Sequence, residues 1–219
     1  MKEELVSLAG ATPDSPLIIC LVEEENKQPI TSFFNEIKGP CHLLFLSGFS
    51  WDDDLSPYPA KQPFSKGEFA GKGPMLLKQI EEDVLTRVYK EIGGRPNKVG
   101  IAGYSLAGLF ALWAFLSSPA FQGAASCSGS LWYPRFLEKI ETGELQQDSG
   151  FVYLSLGDKE KFSKNPLLKT VEEKTLAIQK ILENKGVKTR YESNAGNHFQ
   201  DPDRRLWKGI ANLLENFLI

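Results

Sequence analysis

Cysteine and histidine are scarce in this chain of 219 residues, which contains three cysteines and two histidines. Cys20, Cys41 and Cys127 form no C-x-x-C pair, and their odd number excludes a framework in which every cysteine is paired. The spacing predicts no zinc site either, so we expect three reduced thiols buried in the core. A reaction that requires an imidazole side chain could use only His42 or His198.

A surplus of positive charge is also missing, because 25 Lys and Arg residues stand against 28 Asp and Glu, a net charge of −3. We therefore expect no nucleic-acid partner. The longest apolar run, Leu106 to Leu116, is far shorter than the roughly 20 residues that cross a bilayer. Together with reduced thiols and no signal sequence behind Met1, this predicts a cytoplasmic protein without a membrane partner.

The composition that remains is that of a folded globular protein, with 42% hydrophobic and 24% charged residues. No linker rich in Pro, Gly or Ser divides the chain, and no internal repeat is present. We therefore expect a single domain over residues 1–219.

Short apolar runs alternate along the chain with longer amphipathic ones. The apolar runs predict strands, several of them covered on both faces: Pro16–Val22, His42–Ser47, Lys98–Ala102, Gly123–Cys127, Phe151–Leu156, Lys188–Glu192 and, more weakly, Leu5–Ala9. Spacings of three and four predict helices over Pro74–Ile92, from Asn165-Pro166 to Gly186, and from Asp201-Pro202 onward. The run Leu106–Leu116 is apolar nearly all round, which predicts a buried helix. The alternation predicts an α/β fold, a mostly parallel sheet with helices on both faces.

A serine motif lies where a predicted strand meets a predicted helix. It reads Gly103-Tyr-Ser-Leu-Ala107, with small residues two positions before and after Ser105. A serine on a strained strand-to-helix turn requires such neighbours, and the helix N-terminus beneath it favours developing negative charge. Ser105 is therefore a candidate nucleophile, although Ala107 replaces the second glycine of the usual G-x-S-x-G pattern. A tight turn with an ordinary helix-capping serine is the alternative.

A serine nucleophile needs a base and an acid that orients the base. His42 begins a predicted strand before the motif, which indicates a structural role. His198 lies in a glycine-containing loop after the last predicted strand, so it is the candidate base. Two carboxylates, Asp158 and Glu160, follow another strand and compete for the role of the acid. The order serine, acid, histidine is that of the α/β-hydrolases.

Two backbone N–H groups are candidates for an oxyanion hole, which binds the negative oxygen of an acyl-transfer intermediate. The first belongs to Leu106, directly after the serine. The second belongs to Phe49, in the loop after an earlier strand, where Gly48 allows a close approach.

The segment 48–73 has no periodicity, and a loop of this length is usually functional. We expect Trp51 and Tyr58 to wall a substrate pocket, and Phe64 is a further candidate. The run Asp52, Asp53 and Asp54 is typical of a solvated loop, and a metal site there has no His or Cys beside it.

The chain resembles the esterase-D-like α/β-hydrolases, a group that includes enterochelin-esterase-like enzymes, over roughly residues 40–219. The segments that carry the resemblance are Gly103–Leu109, Ala125–Tyr133, Ser155–Glu160 and Gly196–Phe199. It implies an α/β-hydrolase fold, Ser105 as nucleophile and His198 as base. It favours Glu160 as the acid, because related enzymes often place the acid three residues after a glycine. It also implies that Trp132 lines the substrate cleft, with a packed core tryptophan as the alternative.

The sequence thus predicts an α/β-hydrolase without a separate cap domain that cleaves a small-molecule carboxylic ester through an acyl-enzyme, with no metal or organic cofactor. Two alternatives stay open: a catalytically inactive binding protein of the same fold, and a thioesterase, peptidase or acyltransferase with the same triad. The acyl and alcohol groups and the oligomeric state are not assigned.

Overall fold

The computed structural model describes residues 1–33, 36–37, 39–143 and 148–219. In this part of the chain the strands are β1 (Lys2–Ser7), β2 (Leu17–Leu21), β3 (His42–Ser47), β4 (Ala60–Lys61), β5 (Glu68–Phe69), β6 (Val99–Tyr104), β7 (Gly123–Cys127), β8 (Phe151–Gly157) and β9 (Lys188–Asn194). The α-helices are α1 (Lys27–Thr31), α2 (Trp51–Asp54), α3 (Gly73–Gln79), α4 (Leu85–Ile92), α5 (Leu106–Ser117), α6 (Phe136–Glu141), α7 (Val171–Asn184) and α8 (Pro202–Phe217).

Seven strands form the central sheet in the order β1-β3-β2-β6-β7-β8-β9. All neighbours are parallel except β1, which pairs antiparallel with β3 at one edge. The carboxyl ends of the parallel strands therefore meet at one rim, where ligands bind in open α/β sheets. The predicted mostly parallel α/β fold is confirmed, and the described residues form no separate cap domain.

Helices cover the sheet on both faces. Along β2 the side chains alternate: Leu17, Ile19 and Leu21 join the core with α5, whereas Ile18 and Cys20 join the core with α8. A strand buried on both sides must be apolar at every position, which is why the sequence pattern located the central strands well. The cysteines behave as predicted, because all three are free and fully buried.

The edge strand and one helix differ from the prediction. The weaker strand was expected over Leu5–Ala9, but β1 covers Lys2–Ser7. Its first residues carry exposed charged side chains, so a search for apolar runs does not detect where the strand begins. The helix expected over Pro74–Ile92 is interrupted by a π-helical turn at Ile80–Val84 and ends at Gly93, whose φ of 78° stops it as predicted.

Two expected helix starts are also corrected. The Asn165 side chain accepts hydrogen bonds from the N–H groups of Leu167 and Leu168, where a 3₁₀ turn over Leu168–Thr170 begins, and α7 begins later, at Val171. Helix α8 does begin at Pro202, but Asp201 has a left-handed backbone and makes no side-chain capping bond.

The segment 48–73 is more ordered than its sequence indicates, because it contains α2 and the hairpin β4–β5. Its three aspartates have structural partners. Asp52 accepts a hydrogen bond from the Gln62 amide, Asp53 pairs with Lys72 at 3.1 Å, and Asp54 accepts the Ser50 N–H. Within the described ranges, no group of three His, Cys, Asp or Glu side chains could hold a metal ion. None of the described helices is long and apolar enough to cross a membrane.

Candidate active site

Ser105 stands on the turn between β6 and α5, at the carboxyl rim of the sheet. Its φ of 57° and ψ of −120° are unusual for a residue other than glycine. Two backbone hydrogen bonds hold this conformation: the Ser105 N–H donates to the Cys127 carbonyl at 3.0 Å, and the Ser130 N–H donates to the Ser105 carbonyl at 2.9 Å. The strain that the motif predicts is thus present and held from the neighbouring strand β7.

The small residues of the motif are explained by the same turn. A side chain at Gly103 would collide with the carbonyl of Ala107, so only glycine fits there. Ala107 is fully buried beneath the turn, and its single methyl group is accommodated.

His198 lies between the serine and a carboxylate. Its Nε2 is 3.0 Å from the Ser105 Oγ, and its Nδ1 is 2.8 Å from Glu160 Oε2. A carboxylate only accepts hydrogen bonds, so Nδ1 carries the proton of the neutral ring. Nε2 is then a free acceptor for the serine hydroxyl, which is the arrangement that a general base requires.

Glu160 has only 6% of its side chain exposed, and both of its oxygens are occupied. Oε1 accepts the Gly157 N–H at 2.6 Å and the Ser128 hydroxyl at 2.7 Å, while Oε2 faces His198. Burial by itself would raise the pKa of Glu160, but the hydrogen bond and charge of His198, with those two donors, lower the pKa below its ordinary value. Glu160 is therefore a carboxylate at neutral pH.

Asp158, the competing acid, has a different partner. Its Oδ1 accepts the N–H of Gly196 at 2.8 Å and so ties down the loop that carries the histidine. The structure thus brings Glu160, and not Asp158, to the imidazole.

His42 is part of the packing. It is 3% exposed, its Nδ1 is 2.7 Å from the Ser7 Oγ, and its Nε2 is 2.9 Å from the Thr12 carbonyl. The carbonyl needs a donor, so Nε2 carries the proton and Nδ1 accepts from the serine. The expected structural role of His42 is confirmed.

The two candidate oxyanion donors follow different strands of the sheet, Leu106 after β6 and Phe49 after β3. Leu106 is the first residue of α5, so its N–H has no acceptor within the helix. Phe49 follows Gly48, whose φ of 73° turns the chain after β3, and its ring packs on Trp51 at 6.1 Å. Their part in catalysis stays a prediction.

Two cavities meet at Ser105 and His198. The larger has a volume of about 470 Å³. Its aromatic lining consists of Phe64, Trp132, Phe162 and Phe199. The smaller has a volume of about 300 Å³ and includes Trp51 and Phe199. Trp132 and Trp51 thus each line one of these cavities, and their contact with a substrate stays a prediction. Trp132 is also 6% exposed and part of the core, as its alternative required.

Tyr58 is the exception among the predicted wall residues, because it lines neither cavity. Its hydroxyl donates to the Pro134 carbonyl at 2.8 Å, and its ring packs edge-on against Tyr133. It fastens the 48–73 segment to the loop after β7. The contacts of Tyr58 in the structure are thus structural, and its expected substrate contact stays a prediction.

Two cavity residues were given no role from the sequence alone. Phe162 and Phe199 are 73% and 85% exposed, which is unusual for phenylalanine. Each lies within two positions of a triad candidate in the sequence, Phe162 after Glu160 and Phe199 after His198. That proximity in the sequence is the signal that could have identified them as cavity residues.

The sheet order, the serine on a strained strand-to-helix turn and the adjacent His–Glu pair define the class of α/β-hydrolases. Within that class, residues 51–209 match the family model "Esterase: Putative esterase", and the chain belongs to this family. The membership confirms the predicted family and supports the predicted enzyme class, a carboxylic ester hydrolase.

Among curated proteins, the chain is 28% identical over 138 residues to the uncharacterized protein YbbA of Bacillus subtilis (strain 168). The match covers 61% of this chain and 55% of YbbA, so the matched part spans about half of that relative.

Several solved structures share the fold. The IroE-like serine hydrolase of Shewanella oneidensis has a TM-score of 0.79 at 18% identity, over 99% of this chain and 76% of that one. The siderophore hydrolase EstA of Aspergillus nidulans has a TM-score of 0.71 at 16% identity, over 98% and 90%. The enterobactin esterase FES of Shigella flexneri has a TM-score of 0.73 at 20% identity, over 98% of this chain and 55% of that one.

Proposed function

We propose that the protein hydrolyses a small-molecule carboxylic ester, with Ser105 as nucleophile, His198 as general base and Glu160 as the acid that orients it. The observation that carries the proposal is the chain of contacts from the Ser105 Oγ to His198 at 3.0 Å and from His198 to Glu160 at 2.8 Å. The test is ester hydrolysis by the purified protein, with Ser105→Ala as the control.

The chemistry proceeds in two steps. His198 Nε2 takes the hydroxyl proton while the Ser105 Oγ attacks the ester carbonyl, and the N–H groups of Leu106 and Phe49 stabilise the oxyanion. His198 then protonates the leaving alcohol, and the acyl group stays on the serine. Water activated by the same histidine releases the acid and restores the enzyme. Glu160 keeps the proton of the neutral ring on Nδ1 and stabilises the imidazolium.

The acid assignment gives a first prediction. Glu160→Gln is expected to lower kcat by about 10³- to 10⁴-fold, because the amide no longer favours the Nδ1 proton or the imidazolium. Asp158→Asn, the matched control two residues earlier, is expected to stay within about tenfold of the wild type, because Asp158 bonds only to the loop. Steady-state hydrolysis of 4-nitrophenyl acetate measures both. A larger loss for Asp158→Asn would reverse the assignment.

The larger cavity supports an ester that carries an aromatic or similarly flat apolar group. Three of its phenylalanines, Phe64, Phe162 and Phe199, are mostly exposed, so their ring faces are available to a ligand. A structural neighbour, the Shigella flexneri enterobactin esterase, was crystallised in the presence of 2,3-di-hydroxy-N-benzoyl-serine, which contains such a ring.

This preference gives a second prediction. Phe162→Ala is expected to lower kcat/KM for methyl phenylacetate by about five- to tenfold, since losing part of a buried ring contact costs about 1 kcal/mol. Ethyl acetate should be affected less than about twofold. Met75→Ala, which removes an exposed apolar side chain outside the cavity, is the control. Hydrolysis of both substrates is measured as acid release in a pH-stat. Equal losses of kcat/KM for the two substrates would contradict the proposed preference for an aromatic group.

A further inference from the structure

Arg205 is a buried cation for which the mechanism above has no use. It lies in the first turn of α8, and only 2% of its side chain is exposed. A buried charge is costly unless it is paired and hydrogen-bonded. Its carboxylate partner is Glu160, at 3.5 Å from Nη1 to Oε1.

The guanidinium also contacts the acid indirectly. Nη1 lies 3.3 Å from the Ser128 Oγ, and that hydroxyl donates to Glu160 Oε1 at 2.7 Å. Arg205 therefore faces the oxygen of Glu160 that points away from the histidine. This contact leaves Oε2 directed at the imidazole.

The same guanidinium reaches the loop of the base once directly and once through Tyr104. Nη2 donates to the Ala195 carbonyl at 2.9 Å, and Nη1 donates to the Tyr104 oxygen at 3.2 Å. The Tyr104 hydroxyl in turn donates to the carbonyl of His198 at 2.8 Å. Burial raises the pKa of Tyr104 to about 12, so the hydroxyl keeps the proton that it donates.

We propose that Arg205 is a positioning residue for the hydrolytic reaction: its buried guanidinium fixes the carboxylate of Glu160 and the backbone of the His198 loop relative to each other. The proposal rests on the proposed function. The two members of the candidate triad come from loops after β8 and β9, and α8 supplies one rigid group that bonds to both. Removing the groups that orient metal ligands typically costs 10- to 100-fold in activity, and we expect a loss of similar size here.

Arg205→Lys is the first test, because it keeps a positive charge opposite Glu160. An ammonium group cannot reproduce the planar set of donors that reaches Tyr104, Ser128 and Ala195 together. The expected result is a 10- to 100-fold fall in kcat with KM changed less than about threefold. Arg204→Lys is the matched control: Arg204 is the preceding residue, pairs with Glu36 on the surface, and should keep wild-type kinetics. A wild-type kcat for Arg205→Lys would overturn the proposal.

Tyr104→Phe provides a second variant that leaves the buried ion pair intact. It removes only the hydroxyl between Arg205 and the His198 carbonyl, and the ring remains. The expected result is a fall in kcat of about three- to tenfold at unchanged KM. If Arg205→Lys does not yield folded protein, Tyr104→Phe alone tests the proposal. A wild-type kcat for Tyr104→Phe would then overturn it.

A double-variant comparison separates positioning from general destabilisation. In a Glu160→Gln background, Arg205→Lys is expected to lower kcat less than about threefold further, because the group that it positions is already lost. If the fold losses in kcat of the two single variants multiply in the double variant, Arg205 acts independently of Glu160, and the proposal is overturned. Failure of the proposed function is a different result, namely full hydrolysis by Ser105→Ala.

Discussion

Ser105→Ala is expected to lower the turnover of a chromogenic carboxylic ester by about 10⁴- to 10⁶-fold. In the proposed mechanism the hydroxyl oxygen of Ser105 attacks the ester carbonyl, and His198 Nε2, 3.0 Å away, takes the proton. What remains after the substitution is binding and oxyanion stabilisation without a covalent step. The measurement is steady-state hydrolysis of 4-nitrophenyl acetate or butyrate, corrected for the rate in buffer.

The folded state of this variant should be intact, because among the described residues the Ser105 side chain has a hydrogen bond only with His198. Thermal unfolding is expected to be close to that of the wild type. Ser32→Ala, an exposed serine distant in sequence from the site, is the matched control and should keep full activity. A fluorophosphonate probe should label the wild type and not Ser105→Ala. Wild-type hydrolysis by Ser105→Ala would refute the mechanism, and an unlabelled, inactive wild type would favour the inactive binding protein.

The two histidines give the second large effect, with opposite outcomes. His198→Ala is expected to lower kcat by about 10⁵- to 10⁶-fold with little change in stability, because it removes the proposed base from a partly exposed position. His42→Ala is expected to leave kcat within a few fold and to lower the free energy of unfolding by about 1–3 kcal/mol, since Ser7 and Thr12 lose a buried partner.

The measurements are initial rates for both variants and urea unfolding curves followed by circular dichroism. Each histidine serves as the control for the other, because the chain contains no third imidazole. If His42→Ala slowed turnover as strongly as His198→Ala while staying folded, the assignment of the base would be wrong.

The sequence predicted the central sheet well because its strands are buried on both faces. Two strands, β3 and β7, begin and end at the predicted residues. The candidate site was predictable for a related reason: parallel strands deliver their carboxyl ends to one rim, so Ser105, Glu160 and His198, each placed just after a strand, had to lie near one another.

The features that escaped prediction depend on partners distant in sequence. The hydroxyl of Tyr58, for example, donates to the Pro134 carbonyl, 76 residues away. Arg205 gave no signal at all, because an arginine in the first turn of a helix is usually exposed, and only the fold buries it against Glu160. The interruption within the helix Pro74–Ile92 likewise has no marker such as proline or glycine in its sequence.

The backbone of Ser105 also bears on how such a molecule can change over evolution. A residue other than glycine at a φ of 57° and ψ of −120° carries an energetic cost of about 1–3 kcal/mol, which a glycine would relieve. Under the proposed mechanism, the position that needs a hydroxyl is thus one where its replacement by glycine would stabilise the fold. In a lineage no longer selected for hydrolysis, a substitution of Ser105 by glycine would increase stability. Ser105 therefore represents a trade-off between stability and activity.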